Sequence, residues 1–215
     1  MRVVMLLQFV RQALVARQGL CQFCDMLFLA LIAQAAIAAG PCHYDRAAML
    51  ALDQAAFDQD MTGGWRKLEE DGCEAEAADL IRDWRIAHKA QDTILFWHEG
   101  QLRADIGQIA QAIALFRQSY KPAAKDRIGW NHYVDGTIAF LDRDRAAFDA
   151  ARARLAALPQ PAGFTFNGPD GKPLPIRWPL NMNVFEGFDR CWGQPYKAAY
   201  ACATPMRVVH VPDRK

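Results

Sequence analysis

The sequence predicts an all-α protein of tandem helix–turn–helix units, followed by a small Pro/Gly-rich hairpin and a disulfide-bonded C-terminal cap. Three observations predict it. Apolar residues recur at helical spacing from Tyr44 to Leu158, and small residues recur about every 35 positions inside that stretch. Outside the N-terminal segment, four cysteines fall into two sequence-local pairs, one toward each end.

Residues 1–38 read as a secretory signal peptide. Met26 to Ala39 form a short apolar run behind Arg2, Arg11 and Arg17, and Ala36-Ile37-Ala38 supplies a small-residue cleavage site. The run is shorter than the roughly 20 residues a spanning helix needs. Pro41 before Cys42 argues against a lipoprotein site. Loss of Arg2, Arg11, Arg17 and Asp25 turns the net charge from +1 to −1. A near-neutral surface carries no electrostatic footprint for nucleic acid and no polybasic patch for anionic lipid. The expected location is therefore periplasmic or secreted, with no membrane contact after cleavage. Export agrees with the cysteines. Cys42, Cys73, Cys191 and Cys202 remain, and an even number in an oxidising compartment reads as two disulfides. Three pairings are open, and closeness in sequence favours Cys42–Cys73 and Cys191–Cys202. Cys21 and Cys24 leave with the signal, and their C-x-x-C spacing is discounted as a redox motif.

Helices are expected at 45–52, 64–70, 75–89, 92–105, 108–120, 124–141 and 143–157, within a repeat domain over 39–159. Ala112, Leu115, Phe116 and Ser119 share one helical face, and Pro122 and Pro159 end their helices. Gly72 and Gly107 are 35 apart, Ala112 and Ala147 are 35 apart, and Gly100 and Gly136 are 36 apart. Trp97-His98-Glu99-Gly100 echoes Tyr133-Val134-Asp135-Gly136. Small residues let antiparallel helices approach closely, and each pair needs its neighbour to cover its apolar face.

Between about 62 and 159 the chain resembles the tetratricopeptide-repeat (TPR) family, whose period is about 34 residues. Phe96, Gly100, Gly107, Ala112 and Phe116 stand where that family has its large, small and turn residues. Gly136, Ala147 and Pro159 continue the pattern. Glu99 and Arg103 depart from it, standing where Leu and Tyr are usual, and Ala151 stands where an aromatic is expected.

Residues 160–202 change character. Phe164-Thr165-Phe166 and Leu174 to Trp178 flank a turn at Pro169-Asp170-Gly171, which reads as a hairpin. Asn181 to Cys202 reads as two short helices capping the array, and 203–215 as a loose tail.

Few chemistries find a motif. Ser119 is the sole serine and lies on an apolar helical face, which argues against a serine hydrolase. Pairing consumes the thiols, and no phosphate-binding glycine loop or dinucleotide fingerprint is present. His43, His88, His98, His132 and His210 make no H-x-x-x-H pair, so no metal and no cofactor is expected. The acidic run Glu69-Glu70-Asp71 reads as a solvated face. The family resemblance implies a groove lined by the first helix of each unit, with Ile94, Trp97, Gln101, Asp105, Trp130, Tyr133 and Thr137 facing it. The expected function is binding of a peptide or protein partner of the cell envelope through that aromatic groove, without catalysis. Two alternatives stand beside it: an envelope hydrolase using Glu99 or Asp135 with a nearby histidine, and a structural subunit of an envelope complex.

Overall fold

The computed structural model describes residues 42–167, 172–174 and 176–204. The fold below is that of the unit beginning at Tyr44. The expected signal peptide, Cys21, Cys24, His210 and all of the expected tail except Ala203 and Thr204 lie outside the described residues.

The chain is helical. Its elements are α1 (Arg46–Leu50), a π-helical turn (Ala55–Gln59), α2 (Arg66–Glu70), α3 (Glu74–His88), α4 (Thr93–Asp105), α5 (Ile109–Gln118), α6 (Trp130–Leu141), α7 (Arg145–Ala156), α8 (Met182–Arg190) and α9 (Tyr196–Ala201). Phe166–Asn167 (β1) pairs antiparallel with Pro173–Leu174 (β2), Phe166 opposite Leu174, so the hairpin forms as a two-residue ladder. The helix expected over 124–141 is split. A 3-10 turn at Ala123–Lys125 precedes α6, and Gly129 takes the left-handed conformation at the α6 N-terminus. The Asp126 carboxylate accepts from the N–H groups of Trp130 (2.7 Å) and Asn131 (2.9 Å), satisfying donors that a continuous helix would have bonded internally.

The 35-residue spacing corresponds to a repeated turn. After α2, α4 and α6 the chain closes with the same six-residue backbone bond: Cys73 N–H to Leu68 (2.8 Å), Gln108 to Arg103 (2.8 Å) and Asp144 to Ala139 (2.9 Å). The residue before each donor is left-handed: Gly72 (φ 78°), Gly107 (φ 78°) and Arg143 (φ 59°). This is a Schellman closure, which favours glycine because a Cβ is disfavoured at that φ. Each turn links a first helix to an antiparallel partner: α2 to α3, α4 to α5, α6 to α7. Within the second unit Gly100 lies against the Phe116 ring, where a Cβ would stand 2.7 Å from its carbons.

The departures from the repeat pattern are compensated. Glu99 and Arg103 are both buried, and Glu99 binds Arg85 of α3 and lies 3.6 Å from Arg103. Arg103 also bonds Asp79 (2.6 Å) and the Gln108 side chain (3.0 Å). A charged crosslink thus joins α3 to α4 where apolar residues were expected. Ala151 is fully buried, and the ring missing there comes from another element. Phe185 of α8 fills the space over Gly136, where a Cβ would overlap it.

That packing corrects the expected role of the C-terminal helices. They do not merely close the end of an array. α8 lies against α6 and α7, and α9 lies against α4. Phe185 meets Tyr133 (6.3 Å between centroids) and Tyr196 meets Phe116 (6.4 Å). Cys191–Cys202 links the end of α8 to the end of α9. Cys42 and Cys73 are each disulfide-bonded as well. The Cys191–Cys202 bridge closes a loop with a sequence separation of 11, worth about 3 kcal/mol by the loop-entropy relation. Replacing both cysteines with alanine is expected to lower the urea-unfolding stability by about that amount. An unchanged midpoint would show that packing alone holds α9 in place.

Candidate functional site

The local chain around Asp58 builds one wall of a cleft. Gly64 is left-handed (φ 55°), and a Cβ there would overlap the Phe57 carbonyl, so this reversal needs glycine. The reversal brings Trp65 and Arg66 back onto Asp58, which is fully buried. Its Oδ1 accepts from Trp65 Nε1 (2.9 Å) and lies 2.7 Å from His98 Nδ1, and its backbone carbonyl accepts from Arg66. Burial alone would raise the Asp58 pKa. The bonds from His98 and Trp65 and the charges of His98 and Arg66 outweigh burial and hold it below the ordinary value. Asp58 is therefore an ionised anchor that fixes the His98 ring.

His98, Gln101, Leu102 and Asp105 lie along one face of α4, since steps of three, four and seven residues return to the same side of a helix. They face Trp65, Arg66 and Glu69 on one side and Tyr196, Lys197 and Tyr200 on the other, enclosing a cleft of about 400 Å³. Burial pushes the Asp105 pKa up to about 7; Lys197 opposes this, while Glu69 and Glu74 add to it. Glu69 is also raised, again chiefly by burial, with the Arg66 charge opposing and the Glu74 charge adding. Lys197 is engaged by Glu74. Glu69 and Asp105 make neither a salt bridge nor a side-chain hydrogen bond among the described residues.

The expected groove residues divide sharply. Gln101 and Asp105 line the cleft. Trp97, Trp130, Tyr133 and Thr137 do not, being 3%, 9%, 3% and 0% exposed. The Trp97 ring lies within 4.5–4.9 Å of Phe116, Tyr133 and Trp130, and the Thr137 hydroxyl bonds its own helix at the Tyr133 carbonyl (2.9 Å). These four are core: Trp97 packs among Phe116, Trp130 and Tyr133, the Trp130 indole bonds the Ser119 carbonyl, and Tyr133 meets Phe185 of α8. Ile94 packs half-buried against that same core.

The carboxylates of the hydrolase alternative are engaged elsewhere. Glu99 is held between Arg85 and Arg103. Asp135 accepts from the Tyr120 hydroxyl (2.5 Å) and Arg154 (3.0 Å). His132 lies 3.4 Å from Arg154 Nε, and His88 stacks on Trp84, so neither joins His98. Ser119 is fully buried and bonds the Phe116 carbonyl (2.7 Å), unfit as a nucleophile. Of the acidic run, Glu70 and Asp71 pair with Lys67, while Glu69 turns to the cleft.

Asp58 was missed by sequence reasoning. It lies 40 residues from His98, in a stretch with no helical period, and no local motif joins the two. No family model matches the chain, and no curated protein or solved structure matches it either, so the functional reading rests on the geometry of this cleft.

Proposed function

We propose that this chain is an exported helical-repeat protein of the tetratricopeptide kind that binds a peptide or protein partner, with the cleft between α2, α4 and α9 as its contact site. One observation carries the reading: Gln101 and Asp105 remain accessible to a ligand while the matched aromatics are core. Tyr200, 37% exposed, offers an aromatic contact at the rim. The repeated left-handed turn supports the repeat assignment, and disulfide-bonded cysteines support export. A second reading has its own observation. His98, oriented by buried Asp58 at 2.7 Å and facing the cleft, has the form of a general base with its positioning carboxylate.

A photo-crosslinking residue placed at Tyr200 separates these readings from an inert cleft. Discrete adducts are expected there and not from Ile86, an exposed control on α3. Equal labelling from both positions would refute the contact site. Turnover of a captured partner that His98→Gln abolishes would favour the catalytic reading instead.

A further inference from the structure

Resting on that reading of the cleft as the contact site, we infer that the partner presents a cationic side chain, lysyl or arginyl, which binds between Glu69 and Asp105 with the Tyr196 hydroxyl as a neutral acceptor. The charge inventory favours a cation. Glu69 and Asp105 are the carboxylates that line the cleft, against Arg66 and Lys197. Arg66 is tied to Asp58 and Lys197 to Glu74, which leaves Glu69 and Asp105 without a counterion in contact. An anionic ligand would meet two carboxylates that lack a counterion in contact, whereas Arg66 and Lys197 are already paired.

A second observation points into the same space. Tyr196 is 3% exposed, and its buried hydroxyl completes no hydrogen bond of normal geometry, although the Gln101 side chain lies near enough to favour its ionised form. A buried hydroxyl left unsatisfied is unfavourable, and an ammonium or guanidinium donor in the cleft would satisfy it. The walls suit the rest of such a side chain, since Trp65, Leu102 and Tyr200 offer apolar surface for an alkyl stem. A metal ion fits less well. Among the described residues Glu69, Asp105 and His98 do not form a group close enough to share one ion. Carboxylates spread along a cleft match a fork of donors better than a point charge.

Asp105 gives the binding a pH signature. Its carboxyl faces Lys197, Glu69, Glu74 and Tyr196, and burial holds its pKa at about 7. A bound cation favours the ionised form, so binding expels a proton from Asp105 and weakens as pH falls below 7. The limit is about tenfold for each pH unit if only the ionised form binds.

The probes are N-acetyl-lysine and N-acetyl-arginine methylamides, with Nε-acetyl-lysine methylamide as the uncharged control. They are titrated into the full disulfide-bonded chain by calorimetry at pH 5.5, 7 and 8. Saturable binding of the charged probes is expected, stronger at pH 8 than at pH 5.5. Glu69→Gln/Asp105→Asn should weaken it about tenfold or more. Circular dichroism confirms that the variant folds, and the single Asp105→Asn variant serves if the pair does not. Absence of charged-probe binding, equal binding of the neutral probe, or full retention in the folded variant would overturn the inference. Crosslinks at Tyr200 that persist in the same variant would leave the contact site standing and discard cation recognition alone.

Discussion

Glu99→Ala is expected to destabilise the protein by about 3–5 kcal/mol, the cost of leaving buried charge without its partner. Arg85 carries most of that expectation. Its side chain is 13% exposed, its Nε has no hydrogen-bond partner, and Glu99 is its sole ion-pair partner among the described residues. Its guanidinium also lies 4.0 Å above the Phe96 ring, a position it cannot leave without exposing that ring. Arg103 suffers less, because Asp79 and Gln108 still hold it. The two effects separate in a double variant. Arg85→Met/Glu99→Leu removes the orphaned cation together with its anion and supplies the leucine that the repeat pattern has at this place. It should recover most of the loss, since well-packed apolar replacements of a buried pair are often neutral or better. Urea unfolding of the three proteins measures this. A single variant within about 1 kcal/mol of wild type would show that water reaches Arg85 and that the crosslink between α3 and α4 is superficial.

The recurring turn was legible because its cause is local. A left-handed turn residue and a small helix residue must stand at fixed offsets, so Gly72, Gly107, Gly100 and Gly136 leave a period in the sequence. Arg143 occupies the same turn with no glycine to announce it. The Glu99 and Arg103 departures were visible as departures. Their mutual pairing with Arg85 and Asp79 was not, because α3 and α4 meet at separations that no single periodicity encodes. The aromatic character of 181–202 was equally visible, but its destination was not. Phe185 replaces a ring missing at Ala151, and Tyr196 faces Phe116 some 80 residues away. Such complementarity leaves a trace only in volume, a small residue here and a large one there. Carrying the groove over from the resemblance therefore grouped residues that differ in solvent exposure. Gln101 and Asp105 lie toward α9, where the cleft remains, while Trp97 lies among α5 and α6 and Tyr133 meets Phe185 of α8.

The Trp97→Ala variant tests that placement most directly, and a loss of about 3–5 kcal/mol is expected. The ring is 3% exposed and touches three aromatic neighbours from two other elements: Phe116 of α5, and Trp130 and Tyr133 of α6. Removing it opens a cavity at the junction of two repeat units, and the neighbours cannot collapse into it freely. Trp130 is pinned by its Nε1 bond to the Ser119 carbonyl (2.8 Å), and Phe116 is held under Gly100. Tyr133→Ala should behave similarly, since its phenol is buried beneath Phe185. Tyr200→Ala is the contrasting variant. At 37% exposure on the cleft rim it should cost less than about 1 kcal/mol while weakening partner binding. Had the rings formed an open groove, Trp97→Ala would keep its unfolding midpoint and lose only binding. That outcome, with stability within about 1 kcal/mol of wild type, would show that the Trp97 ring is not core and return the contact surface to Trp97 and Tyr133.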